Sequence, residues 1–380
     1  MIGISNLYCG AAEPADALRY GRPGVRKPVV VYNCTRRCNL RCIHCYSASS
    51  NSADAGELTT AEARVLLDDL AAFGVPVVLF SGGEPLTRPD WPELIAHARG
   101  NGLRAVLSTN GTLIDAATAD RLGRAGAGYI GVSLDGLPAT NDRFRGLTGA
   151  FEAALAGIRL CRARQIKVGL RLTLTRHNAA DLPGVFDLVE REGIGRVCFY
   201  HLAYAGRGRD LAGQDLSHEQ ARAAVDLILD RTAALHRAGQ AVQVLTVDNH
   251  ADGPYLVLRL MREDPARARR ALELLRANGG NASGQSIGCV SWNGEVHPDQ
   301  FWRQHVLGDV RRRPFSQIWS DPPADSLLNR LRRRGEHLSG RCRRCRWLDI
   351  CNGNLRARAE AAGDPWGDDP ACYLSEGEIT

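Results

Sequence analysis

The stretch PVVVYNCTRRCNLRCIHCYS, residues 28–47, begins as a strand and ends as a loop crowded with thiols. It holds four of the chain's 12 cysteines. The first seven residues read as a buried strand. Cys38, Cys42 and Cys45 then follow with the spacing C-x3-C-x2-C. A structural zinc site takes four ligands, usually as two separated pairs. Three thiolates on one short loop suit three irons of a [4Fe–4S] cluster, leaving the fourth iron open to a small chelating ligand. Chance or a redox pair would also produce this spacing. Cys34, on the strand itself, reads as a small buried hydrophobe.

Downstream, strand and helix patterns alternate. TTAEARVLLDDLAAFG is an amphipathic helix with Thr59 as N-cap and Gly74 as its stop. The strands VPVVLF, RAVLST, YIGVSL, KVGLRLTLT and RVCFYHLA come next, each separated from the one before by a helical segment. Six strands alternating with helices predict an α/β fold of parallel βα units. Six units rather than eight predict a partial (β/α)6 TIM-like barrel, open, with its functional residues on the loops after the strands. Residues 1–27 read as an N-terminal lead-in and 28–211 as the barrel core. Residues 212–284 read as a helical bridging segment with one possible strand at VQVLTVD, and 285–380 as a small Cys-rich C-terminal domain.

The 380 residues are 44% hydrophobic and 24% charged, an ordinary globular composition. Of 48 basic residues only Lys27 and Lys167 are lysines, and the net charge is +6. Arginine forks match carboxylates and phosphates, although so modest a charge is also that of a solvated surface. No run approaches the roughly 20 apolar residues that span a bilayer. The opening MIGISNLYCG has no basic n-region and no long apolar h-region. No signal peptide and no membrane insertion are therefore expected. The expected compartment is the cytoplasm, where thiols stay reduced and 12 cysteines point to metal ligation before disulfides.

The strand ends carry further motifs: SGGEP at 81–85, LSTNGT at 107–112 and VSLDG at 132–136. Together with the cysteine loop, in this order, they resemble the radical SAM enzymes. The resemblance implies a [4Fe–4S] cluster on Cys38, Cys42 and Cys45, with S-adenosylmethionine (SAM) chelating the open iron. It also implies reductive cleavage of SAM to a 5′-deoxyadenosyl radical that abstracts hydrogen from a substrate. His44 stands where the family often places an aromatic residue near the adenine, and Tyr46 also matches. Gly82, Gly83 and Glu84 lie in the segment the family uses for the SAM ammonium. Asn110 lies at the end of the third strand, and Ser133 and Asp135 stand where the family contacts ribose and methionine. Arg171 resembles the family's carboxylate-binding arginine.

A second group comprises Cys342, Cys345, Cys351 and Cys372. Four thiolates would saturate either zinc or a [4Fe–4S] cluster. The segment resembles a SPASM domain, which implies one auxiliary [4Fe–4S] cluster on these four. The cysteines of a second auxiliary cluster are mostly missing: none stands near Asp299 or Gln300, and Leu355 replaces one. Cys289 matches the first SPASM cysteine and is expected to be an unligated relic; Cys9, Cys161 and Cys198 read as ordinary residues.

The strings YNCTRRCNLRCIHCYS, LFSGGEPLTRPD, HLAYAGRGR, GEVHPDQFW and CNGNLRARAE resemble the NirJ family of haem d1 biosynthesis. That resemblance implies a decarboxylated sirohaem (12,18-didecarboxysirohaem) as the tetrapyrrole substrate, with propionates removed or oxidatively converted. It also implies a reductase or small electron-transfer protein as electron donor. Arg207, Arg209, Arg303, Arg356 and Arg358 are candidate partners for the substrate carboxylates, and His297 and His305 for its iron. Each of these has a bland reading as surface or structural residue. Alternatives within the class are a SPASM peptide maturase and a haem-synthase-type propionate decarboxylase. An alternative of another class is a zinc-stabilised nucleic-acid-binding protein using RCRRCRW, although no nucleic-acid partner is expected.

Overall fold

A computed structural model describes residues 1–21, 27–52 and 54–380; residues 22–26 of the lead-in lie outside the described residues. Its centre is one sheet of eleven strands. These are β1 (Ile2–Gly3), β2 (Val29–Thr35), β3 (Val77–Gly82), β4 (Arg104–Thr109), β5 (Ile130–Ser133) and β6 (Val168–Leu174). There follow β7 (Arg196–His201), β8 (Gln243–Val247), β9 (Ile287–Val290), β10 (Glu295–His297) and β11 (Gly308–Asp309). The spatial order is β1-β8-β7-β6-β5-β4-β3-β2-β9-β10-β11. From β2 to β8 every neighbouring pair is parallel, and β9 adds to β2 in parallel. The parallel run does not close on itself, because β8 pairs onward with β1 and β9 with β10, both antiparallel.

The six expected strands are β2 to β7, and the possible strand VQVLTVD is the seventh of the run, β8. The lead-in is more ordered than its lack of periodicity suggested. Ile2, Ile4 and Leu7 are buried, β1 pairs with β8, and short helices cover Ile4–Cys9 and Asp16–Tyr20. Gly3 donates its amide to the Tyr20 hydroxyl at 2.8 Å, closing the segment on itself.

The helix Thr60–Phe73 starts at the expected N-cap Thr59 and stops at Gly74, and its start is a capping box: Glu62 N donates to Thr59 Oγ1 at 3.3 Å, Thr59 N to Glu62 Oε2 at 2.8 Å, and Gly74 turns left-handed at φ 83°. Side chains alternate along each strand. Val30, Tyr32 and Cys34 on β2, Val78 and Phe80 on β3, and Leu170, Leu172 and Leu174 on β6 join the main core beneath the helices. The opposite register of Asn33, Ser81, Ser108, Ser133 and Arg171 lines the inside of the curved sheet. No helix among the described residues is long and apolar enough to cross a membrane.

Candidate cluster and cofactor sites

After β2 the chain runs from Arg36 to Ser50 almost without regular structure. Such a loop leaves carbonyls and amides to be satisfied by other segments. Cys38 N donates to Ser50 O at 2.8 Å. Arg207 donates from Nε to Cys42 O and from Nη1 to Ser49 O, each at 2.8 Å, and from its amide to Cys45 O at 3.0 Å. Arg207, which the sequence alone made a candidate for substrate carboxylates, thus staples the loop through Nε and Nη1, while its Nη2 has no partner.

Cys38, Cys42 and Cys45 pack together around Leu40. Each sulfur meets a donor. Leu40 N reaches Cys38 Sγ at 3.4 Å, Arg145 Nη1 reaches Cys42 Sγ at 3.5 Å, and Ser47 Oγ lies 3.3 Å from Cys45 Sγ. Burial pushes the Cys38 thiol up to about 12 and raises Cys42 against the opposing charge of Arg145. Thiols so placed stay protonated unless a metal takes the proton's place, and a coordinating thiol is deprotonated outright. Three sulfurs packed together, those of Cys38 and Cys42 buried and that of Cys45 half-buried, each beside a hydrogen-bonding group, fit thiolate ligation.

The SGGEP segment meets this loop closely. Gly83 N donates to Thr35 O at 2.7 Å and Glu84 N to Arg37 O at 2.8 Å. A Cβ on Gly83 would overlap the Arg37 carbonyl, so glycine here permits backbone against backbone. Glu84, fully buried, accepts from Asn110 N at 2.7 Å, Thr109 Oγ1 at 2.8 Å and Leu86 N at 3.1 Å. It locks the end of β3 to the end of β4, and Asn110 Nδ2 reaches back to Asn39 Oδ1 at 2.9 Å.

Asp135, after β5, is buried between Arg145 and His44, whose Nε2 is 3.3 Å away. Its carboxylate also accepts from Thr173 N at 2.7 Å. Burial lowers the His44 pKa, and its ring leans on Phe144 at 5.3 Å. Tyr46 turns its hydroxyl inward to Asn33 Oδ1 and Ser81 Oγ, both at 2.9 Å. Ser133 and Arg171 are register partners on β5 and β6. Arg171 Nη1 donates to Ser108 Oγ at 2.7 Å across Gly131, while its Nε has no partner. Hence Cys38, Cys42, Cys45, His44, Tyr46, Gly82, Gly83, Glu84, Asn110 and Asp135 form one connected network at the strand ends, with Ser133 and Arg171 beside it.

Sequence reading missed Arg145. It ends the helix Pro138–Arg145, which was not recognised, and only the left-handed Gly146 at φ 68° in FRG hinted at a helix stop.

In the C-terminal segment Cys342, Cys345, Cys351 and Cys372 line one largely apolar cavity with Leu348, Leu374 and Ile379. Burial raises all four thiols, Cys372 to about 11. The string CNGN has a conformational reason: Asn352, Gly353 and Asn354 are three successive left-handed residues, at φ 54°, 76° and 57°. Asn354 then pins the loop after β8, accepting from His250 N and donating to Asn249 Oδ1, both at 2.7 Å. Among the described residues no three His, Cys, Asp or Glu side chains converge as a single-ion site. A four-iron cubane takes its thiolates from wider apart than one tetrahedral ion does.

Cys289 does not line this cavity; it lies buried on β9 and accepts from Asn33 Nδ2 at 3.4 Å. Arg356 donates to Gly367 O at 2.6 Å, and Arg358 forms a fully buried pair with Asp369. Both are structural where the sequence offered them as substrate ligands. His305 pairs with Glu360 at 2.6 Å, and His297 Nδ1 faces His305 O at 3.0 Å. Arg209 is exposed.

The comparisons with known proteins agree with this geometry. A family model described as the radical SAM superfamily matches residues 32–189, and one described as an iron-sulfur cluster-binding domain, SPASM, matches 283–346. The chain belongs to the radical SAM superfamily, in the form that carries a SPASM domain, and within it to the synthases of haem-related tetrapyrroles. It is 56% identical to the Fe-coproporphyrin III synthase of Methanosarcina barkeri, over 100% of this chain and 99% of that protein. It is 45% identical to the pre-heme d1 synthase of Dinoroseobacter shibae, over 93% of this chain and 88% of that protein. Among solved structures, native anSMEcpe with bound AdoMet shares the fold at a TM-score of 0.70 and 18% identity, covering 93% of this chain and 95% of that one. The chain is therefore an enzyme that uses SAM and two [4Fe–4S] clusters, one that binds SAM and one auxiliary. A zinc-stabilised nucleic-acid binder is set aside.

Proposed function

We propose that this chain strips side-chain carbon from a decarboxylated sirohaem to give Fe-coproporphyrin III. The observation that carries this reading is the 56% identity to an Fe-coproporphyrin III synthase, which spans both chains end to end. Cys38, Cys42 and Cys45 hold the cluster that SAM approaches, and Cys342, Cys345, Cys351 and Cys372 hold the auxiliary one. When bound, that first cluster and SAM supply a carbon-centred radical able to take hydrogen from an unactivated side-chain carbon, a position that acid–base catalysis cannot reach.

The chain's own residues prepare that event. Glu84 and Asn110 fix two strand ends against the cysteine loop, and Arg145 and Asp135 carry the loop's second thiol. Ser133 and Arg171 offer a hydroxyl and a cation to SAM. Tyr46 closes the inside of the sheet beneath the loop. Electrons come from a reductase or small electron-transfer protein.

The second reading is haem d1 synthesis, favoured by the shared strings quoted above and by 45% identity to a pre-heme d1 synthase. The two separate in one experiment. The protein is reconstituted anaerobically with iron and sulfide, reduced, and incubated with SAM and 12,18-didecarboxysirohaem, and the tetrapyrrole is identified by mass spectrometry. Fe-coproporphyrin III is expected. A pre-heme d1 product would move the assignment to the second reading, and an unchanged tetrapyrrole beside active SAM cleavage would remove both.

A further inference from the structure

Arginines that surround the two sites differ in how much of their fork is engaged. Arg145, Arg207 and Arg356 each engage two nitrogens and Arg358 three, on thiols, carboxylates or backbone carbonyls, although Arg145 Nε, Arg207 Nη2 and Arg356 Nε have no partner. Arg303, on the segment after β10, engages one. Its Nη1 donates to Ser47 O at 3.0 Å, and its Nε is buried without a partner. No carboxylate among the described residues stands within ion-pair distance of it, although Glu295 is near enough to be felt.

The guanidinium is held in place before any ligand arrives. It stacks over the Trp292 ring at 4.1 Å, and Ser47 fixes its other edge. Ser47 is two residues from Cys45 and touches that sulfur. Beside it Tyr46 and Phe301, both half-buried, meet edge to face at 5.4 Å. A rigid, uncompensated cation and a pair of accessible rings thus sit against the cysteine loop, on the line where the C-terminal segment faces the sheet. A buried charge left unpaired is costly, and the cost is recovered when an anion with matching fork geometry arrives. Burial depresses the Arg303 pKa, as expected of a cation lacking a counter-ion.

We propose that Arg303 is the anchor for one side-chain carboxylate of the tetrapyrrole, with the Tyr46–Phe301 pair against the macrocycle. This rests on the tetrapyrrole reading above and adds to it a specific contact: carboxylate to guanidinium, next to Cys45. A position so close to the cluster orients the ring relative to SAM, so Arg303 is a specificity residue.

The test is binding, read by the Soret band in the absence of reductant. Iron-loaded wild type, Arg303→Gln and Arg303→Lys are titrated with Fe-coproporphyrin III and with its tetramethyl ester, in the same detergent. Wild type is expected to prefer the free acid. Arg303→Gln should bind the acid about ten- to a hundredfold more weakly, the worth of a charged hydrogen bond, with the ester unaffected. Arg303→Lys should recover part of the loss. Equal iron content and equal SAM affinity in all three proteins show that the fold and the cluster are intact. If Arg303→Gln binds the acid as wild type does, or weakens acid and ester alike, the anchor is wrong while the tetrapyrrole reading stands. If wild type binds neither probe, both fall.

Discussion

Replacing Arg358 by Met should destabilise the whole molecule, because one side chain ties three segments together. Arg358 pairs with Asp369 through Nε at 2.8 Å, both fully buried, and donates to Leu202 O at 2.9 Å and Asp248 O at 2.7 Å. These carbonyls belong to the loops after β7 and β8, so the residue joins the sheet to the C-terminal segment. Breaking a buried pair by removing one partner costs about 3–5 kcal/mol, since the other charge is left unpaired in the interior. At about 2.1 cal/mol/K per residue, 380 residues give a transition entropy near 0.8 kcal/mol/K. The expected loss in Tm is therefore about 4–6 °C. Calorimetry on anaerobic, iron-loaded protein measures it. Arg358→Met with Asp369→Asn should recover part of the loss, because the orphan charge is gone and the amide oxygen still accepts from Ala371 N at 2.9 Å, while Leu355 N, now 3.0 Å from an oxygen of the carboxylate, loses its acceptor. A single variant that melts with the wild type, or a double variant less stable than the single, would refute the reasoning.

Replacing Cys38, Cys42 and Cys45 together by Ala should lower the iron content from roughly eight to about four per chain and abolish 5′-deoxyadenosine formation, by colorimetric iron and chromatography. Gly83→Ala sets a methyl group against the Arg37 carbonyl, so SAM affinity in equilibrium dialysis should fall by about tenfold or more while auxiliary-cluster iron persists. Arg207→Lys leaves one compact head group for two carbonyls that the fork now spans, so chelators should strip the SAM-binding cluster faster; an unchanged stripping rate would count against the staple. Asp248, raised to about 7 chiefly by burial, keeps a proton that the unfolded chain releases near 4, so stability should fall as pH rises from about 4 to about 7. Asp248→Asn, at a left-handed φ of 66° that Asn tolerates, should remove this dependence and raise Tm at pH 8 by at most about 5 °C; a wild-type slope retained in the variant would refute it.

What the sequence displayed openly was whatever repeats with a period or carries rare chemistry. Strand periods located β2 to β7, and the N-cap at Thr59 with the stop at Gly74 located a helix to the residue. The thiol spacing located both cysteine groups. What it concealed was tertiary. β9 joins the parallel run beside β2 through residues that follow a long helical stretch, and a four-residue strand so placed has no local signature. The lead-in offers only Ile2, Ile4 and Leu7, and its order comes from pairing with β8. Substrate identity is concealed too: the chain is similar along most of its length both to an Fe-coproporphyrin III synthase and to a pre-heme d1 synthase, so overall likeness does not separate one tetrapyrrole outcome from another.

The arginines were the least legible of all, and their misreading has a physical cause. Composition left the 46 of them as either partners for anions or a solvated surface. Yet the loop carrying Cys38, Cys42 and Cys45, and the turns at 281–283 and 352–354 beside the second cysteine group, lack regular structure, so many of their carbonyls have no ladder to join. A guanidinium, with five donors in a flat fork, satisfies two or three such carbonyls at once, which an ammonium on a flexible stem does poorly. Arg334 illustrates the use, donating to Asn281 O, Asn352 O and Ser283 O from one buried position, at 3.2, 2.9 and 2.9 Å, with its pKa pressed down to about 9. At such positions arginine does what lysine cannot. An arginine near a site is a candidate substrate ligand where, as proposed for Arg303, the loops leave most of its fork unengaged.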